Sequence, residues 1–212
     1  MAQRGKIELL ESIRKTASMA EFVTVLQPEP LGLGHAVLCA KDVVGNEPFF
    51  VCLPDDLIDS KTPCVSQMYQ SYEALNADAI IAVQQVAPDQ INQYGILKST
   101  SVQEKTHLIS DLVEKPSLKE APSNLGIVGR YLLPSEIFSI LKKVKKGSGG
   151  EIQLTDGLKE IAKNSKMFGL EFEGVRYDTG DKLGYLKANL AYGLKREEFR
   201  SSLKEFIQSL SQ

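Results

Sequence analysis

The sequence predicts an α/β domain with a mixed, mostly parallel central sheet covered by helices. Two observations carry this. Residues 49–53 (FFVCL) and 79–83 (AIIAV) are continuous apolar runs, the pattern of strands buried on both faces. Helical patterns separate the strand-like runs, and strand–helix alternation is the mark of a parallel sheet. With 212 residues, the chain suits one domain, read here as 1–212, with residues 181–212 a C-terminal helical extension.

The elements follow in order. Ile7, Leu10, Ile13 and Ala17 recur at helical spacing, so residues 6–19 are expected to be a helix. Residues 22–26 are a short β-rich run. Residues 27–34 are a loop punctuated by Pro28, Pro30, Gly32 and Gly34, and 35–41 continue as a helix. Residues 64–75 are helical. The middle of the chain changes character: 94–97, 107–114 and 124–133 alternate and carry Gly and Pro, as antiparallel or mixed strands do. Pro134 opens a helix through about Val144, since proline suits a first helical turn. Residues 147–150 form a turn, 154–163 a helix and 167–175 a strand. Residues 181–194 and 197–210 are amphipathic helices. A doubly wound domain normally opens on a strand and a phosphate-binding loop. This sequence opens on a helix, and neither GxGxxG nor GxxxxGK[ST] occurs in it.

Composition narrows the function. Hydrophobic residues make up 42%, charged residues 25%, and the net charge is −2. No long block of like charge points to nucleic acid or an acidic membrane. The cluster Lys142, Lys143, Lys145 and Lys146 reads as a solvated helix C-terminus. Cys39, Cys52 and Cys64 are odd in number, form no CxxC pair and lie in or beside apolar stretches. Buried free thiols in a reducing cytoplasm fit them best. The two histidines, His35 and His107, are far apart, which argues against a histidine metal centre. No apolar run reaches the ~20 residues of a membrane span.

Four segments carry possible chemistry. Asp55 and Asp56 follow an expected central strand, where ligands of open α/β sheets bind. They suit Mg2+, which takes hard oxygen donors, or a plain turn after Pro54. In the loop QPEPLGLGHA (27–36), the glycines allow a backbone to approach a ligand, and Gln27 could face a base edge. An ordinary Pro/Gly loop has the same composition. Glu114 and Lys115 end a strand, as a sugar-phosphate clamp or a surface pair. Asp178, in RYDTGD (176–181), is a second possible metal ligand or a helix cap.

Seven segments in order settle the family. They are PLGLGHAVLCA (30–40), FFVCLPDDL (49–57), YGIL (94–97), LVEKP (112–116), GRYLLPSEIF (129–138), GGEIQLTDGLKEIA (149–162) and YDTGDKLGYLKANLAYGL (177–194). Together they resemble the bacterial-type UTP–glucose-1-phosphate uridylyltransferases of the sugar-phosphate nucleotidyltransferase superfamily. EIQLTD and YDTGDKLGYLKA are specific to that subfamily. The resemblance implies a Rossmann-like nucleotidyltransferase fold. It also implies a reaction of UTP with glucose 1-phosphate that yields UDP-glucose and pyrophosphate, assisted by Mg2+. Such a reaction needs charge neutralisation and in-line positioning, not a protein nucleophile.

The resemblance also implies site roles. Gln27 and Gly32 would read uracil; Asp55 and Asp178 would hold the metal; Gly95 and Glu114 would bind glucose hydroxyls; Lys115 would bind the sugar phosphate. Asp55 and Lys115 would be the catalytic pair. Glu151, Gln153 and Asp156 belong to the signature without an assigned role. A homo-oligomer in the cytoplasm is implied as well. The family's opening strand and GxGTRxxPxTxxxPKxM loop have no counterpart in these 212 residues, which suggests an N-terminally truncated enzyme, weak or inactive by itself. The alternative is a non-catalytic fragment that binds nucleotide sugar or a partner protomer. A relative with another sugar or nucleotide is the third reading.

Overall fold

The computed structural model describes residues 7–147 and 150–210. Helices α1 (Ile7–Ala17), α2 (Leu33–Cys39) and α3 (Lys41–Val44) come first. Strands β1 (Phe49–Cys52) and β2 (Asp56–Asp59), helix α4 (Cys64–Leu75) and strand β3 (Ala79–Gln85) follow. A 3-10 helix (Pro88–Gln93) leads into β4 (Gly95–Gln103), β5 (Thr106–Glu114) and β6 (Leu125–Leu133). The chain ends with α5 (Glu136–Leu141), α6 (Leu154–Asn164), β7 (Met167–Glu171), β8 (Val175–Asp178), α7 (Lys182–Lys195) and α8 (Glu197–Ser209).

Six strands form one mixed sheet in the order β1-β6-β3-β7-β5-β4. Strands β1, β3, β7 and β4 run one way, β5 and β6 the other. The majority direction matches the expected parallel strands. Adjacency does not follow it, because β6 enters from far along the chain and separates β1 from β3. The only parallel ladder among the described residues is β3–β7. Strand β4 also touches β6 at Ile96↔Gly126, so the sheet curls back beside Gly95.

Strand β3 shows why the continuous apolar run was informative. Ala79, Ile81 and Val83 enter one core, with Leu133, Phe138, Leu141, Leu158 and Ile161 from β6, α5 and α6. Ile80 and Ala82 enter the other, with Met68 of α4, Leu132 and Phe168. Both faces are covered by helices, so every side chain of residues 79–83 is buried. Phe49 stacks on Phe138 at 5.0 Å, joining β1 to α5.

Three expected elements are corrected. Residues 22–26 form no strand, and Phe22 and Leu26 are 81% and 82% exposed. Strand propensity takes effect only beside a hydrogen-bonding neighbour, and no described strand lies there. The run 167–175 divides: β7 stays in the large sheet, the chain turns at Glu173 and Gly174, and β8 pairs with β2 in a separate ribbon. Helix α5 stops at Leu141 rather than near Val144. Of the expected turn at 147–150, Ser148 and Gly149 lie outside the described residues. Strand β2 was not expected at all.

All three cysteines are free, but of the expected buried thiols only Cys64 is buried; Cys39 is half-buried and Cys52 exposed, because their helix and strand lie at the edge of the core. Burial pushes the Cys64 thiol up to about 11, against a small opposing pull from Arg130, so it is a neutral core group. Among the described residues no helix is long and apolar enough to cross a membrane.

Candidate active site

The site forms where the β2–β8 ribbon meets the sheet. Its register sets Asp56 opposite Asp178 and Ile58 opposite Arg176. Two segments more than a hundred residues apart are thereby joined into one acidic corner. The join is reinforced by Thr179, whose N–H and hydroxyl donate to the Asp55 carbonyl at 2.8 and 2.9 Å.

The two neighbouring acids have different environments. Asp56 is 4% exposed and fully engaged. Its carboxylate accepts from the Gly129 N–H at 2.9 Å and from Arg176 Nε, and its carbonyl accepts from Arg130. A buried carboxylate needs such partners. Asp55 is exposed, and its carboxylate has no hydrogen bond or ion pair among the described residues. Asp56 is therefore part of the architecture, and Asp55 is left available to a ligand.

Arg176 ties the corner together. Its side chain is 9% exposed. It donates to Asp56, to the Tyr94 hydroxyl at 3.0 Å and to Asp178 Oδ2 at 3.0 Å. Burial works against its charge, yet Asp56 and Tyr94 outweigh that and hold its pKa above the ordinary value. Asp178 Oδ1 accepts from the N–H groups of Gly180 and Asp181 at 3.0 and 3.3 Å. Helix capping falls instead to Asp181, which accepts from Gly184 N–H at 2.8 Å. Asp55 Oδ2 and Asp178 Oδ1 lie 3.1 and 3.2 Å from where a Gly180 side chain would begin, so both carboxylates border one gap.

A second group lines the same cavity. Gly95 pairs with Glu114 in the β4–β5 ladder. A Cβ on Gly95 would sit 3.0 Å from Ile127 Cδ1 and 3.2 Å from Glu114 Oε2, so glycine keeps this approach open. Glu114 Oε2 accepts from the Thr155 hydroxyl at 2.5 Å. Lys115 holds a left-handed backbone, φ +45°, with its N–H donating to the Tyr94 carbonyl at 3.0 Å. Such a conformation costs a lysine roughly 1–3 kcal/mol and persists where the surroundings impose it. Its exposed side chain has no ion pair among the described residues. Tyr131, 7% exposed, stays neutral because burial, then Glu114 and Asp56, raise its pKa well above the ordinary value.

A cavity of about 320 Å3 joins these groups and is bordered by Asp55, Asp178, Gly95, Glu114 and Lys115. Gln27 and Gly32 do not border it; the neighbouring Leu33 does. The Gln27 amide donates to the Gly32 carbonyl at 3.2 Å and lies 3.1 Å from His35 Nδ1. Gly32 has φ +93°, and a Cβ there would lie 2.9 Å from Glu151 Cβ. The signature at 151–156 braces this loop. Ile152 N–H donates to the Leu31 carbonyl at 2.7 Å, and Gly34 N–H to the Ile152 carbonyl at 2.9 Å. Gln153 donates to Glu151 at 2.8 Å, and Asp156 lies 3.7 Å from Lys159. Sequence reasoning had assigned no role to Arg176, Tyr94 and Thr155. Tyr94 and Thr155 stand inside recognised segments and Arg176 directly precedes one; their partners are what give them meaning.

The Nucleotidyl transferase family matches residues 1–194. UTP–glucose-1-phosphate uridylyltransferase YngB of Bacillus subtilis is 43% identical over 210 residues, spanning 99% of this chain and 70% of that protein. The chain belongs to the UTP–glucose-1-phosphate uridylyltransferase family. Solved structures of the family agree with the fold. A UDP-glucose pyrophosphorylase complexed with UDP-glucose superposes with a TM-score of 0.84 at 39% identity, covering 91% of this chain and 74% of that one. The UTP-bound enzyme of Acinetobacter baumannii gives 0.87 at 38% identity, covering 99% and 73%. This uridylyltransferase-family chain is thus a nucleotidyltransferase with the expected mixed α/β fold.

Proposed function

We propose that the chain's site joins UTP to glucose 1-phosphate, forming UDP-glucose and pyrophosphate. A phosphate oxygen of the sugar phosphate attacks the α-phosphorus of UTP, and the bond from that phosphorus to the pyrophosphate oxygen breaks. One observation carries the reading: Asp55, whose carboxylate has no ion pair among the described residues, and Asp178 line the same cavity as Glu114, Gly95 and Lys115, whose ammonium has none there either. Glu114 accepts from sugar hydroxyls, and Lys115 neutralises the sugar phosphate as it approaches a second anion.

Asp55 and Asp178 would hold Mg2+. No group of three or more His, Cys, Asp or Glu is arranged for a metal among the described residues. Two carboxylates nevertheless fit this ion, which commonly takes one or two from protein and the rest from phosphate and water. When bound, it would neutralise charge on the triphosphate.

Gln27 and Gly32 are assigned to the uracil edge, with Gln27 released from its internal bonds on binding. The exposed Leu183, Leu186 and Phe199 on α7 and α8 support a homo-oligomer. Free thiols support a reducing, cytoplasmic setting.

Isothermal titration with a ligand panel tests the specificity. UDP-glucose is expected to bind more tightly than dTDP-glucose or UDP-galactose; preference for either of those would reject the assignment.

A further inference from the structure

We infer that Thr155 is a positioning residue that fixes the Glu114 carboxylate for the sugar, an inference that rests on the glucose-binding reading above. Thr155 is 8% exposed, in the first turn of α6. It is anchored there because Leu154, Leu158 and Ile161 of the same helix are sealed into the core. Its hydroxyl donates to Glu114 Oε2 at 2.5 Å. The second oxygen, Oε1, has no donor among the described residues.

A glutamate has several rotatable bonds, and ordering them on binding costs affinity. Thr155 removes that cost in advance. It holds the oxygen nearer Gly95 and leaves Oε1 as the acceptor for sugar hydroxyls. The same bond gives the signature at 151–156 a part in the chemistry. One end braces the loop carrying Gly32, and the threonine fixes the residue that receives the sugar. The hydroxyl acts through Glu114 rather than on the ligand, so its loss should be felt only by ligands that carry the sugar.

The test is calorimetric titration of the full chain with UDP-glucose and with UDP, each with Mg2+. Thr155→Val keeps the shape and removes the donor; it is expected to weaken UDP-glucose about tenfold and leave UDP unchanged. Thr155→Ser restores the donor and should recover most of the loss. Should the valine variant fail to fold, Thr155→Ala is read by the same ratio. Equal weakening of both ligands would mean a merely structural threonine and overturn the inference, as would UDP-glucose binding unchanged by loss of the hydroxyl. A wild-type chain that binds UDP-glucose no better than UDP would instead reject the sugar-site reading itself.

Discussion

Arg176→Met is expected to lower stability to urea by about 3–5 kcal/mol, because it leaves a buried carboxylate without its cation. The contribution comes mainly from Asp56, at 4% exposure, and little from Asp178, which is partly open to solvent. Among the described residues, the Asp56 carboxylate would keep only the Gly129 N–H. Against a whole-domain stability of roughly 5–15 kcal/mol, this is a large loss, so unfolding is best followed in the cold. The attribution has a sharp check. If the cost is the orphaned charge, Asp56→Asn in the Arg176→Met background should recover part of it. A double variant no more stable than Arg176→Met, or a single variant within 1 kcal/mol or so of wild type, would contradict the account.

The second large effect falls on binding. Gly95→Val should abolish the advantage of UDP-glucose over UDP while the protein remains folded. A Cβ already meets Ile127 and Glu114 at 3.0 and 3.2 Å, and the two methyl groups of valine extend beyond it into the space claimed for the sugar. Valine suits a strand, so the ladder with β5 should tolerate it better than the ligand does. Glu114 would also be pushed from Thr155. The expected loss is at least a hundredfold for UDP-glucose, by steric exclusion and a displaced acceptor, with UDP affected little. Equal affinity of the variant and wild type for UDP-glucose would move the sugar elsewhere.

Much of this molecule was legible in its sequence, and the exceptions share a cause. The runs at 49–53 and 79–83 announced buried strands because both faces had to be apolar. The order β1-β6-β3 was not legible, since the strand between them arrives some forty residues after β3. Residues 22–26 have strand composition and no strand, because propensity without a neighbour leaves apolar side chains in water. Strand β2 is four residues long and begins and ends on aspartate, too short for a period to show.

The site divides the same way. The acids at 55 and 56 were visible as a pair, and the family resemblance favoured Asp55, but the physical reason for that choice was not legible. That choice is made by Gly129 and Arg176, 73 and 120 residues further along. Glu114 and Lys115 were expected from their motif; Thr155 was hidden because a threonine in a helical signature has no chemistry until its partner is known. Gln27, assigned to the uracil edge, is bonded within its own loop through Gly32 and His35. Under the proposed assignment, the uracil end is the part of the site expected to rearrange on binding.

The central claim is that Asp55 is the available carboxylate of a Mg2+-dependent sugar-nucleotide site, with Asp56 its structural neighbour. Calorimetric titration of UDP-glucose, with and without Mg2+, against wild type and Asp55→Ala tests it most directly. The account predicts that Mg2+ tightens binding to the wild-type chain, and that Asp55→Ala loses this enhancement while keeping its thermal stability. Mg2+-dependent binding unchanged by Asp55→Ala would contradict it.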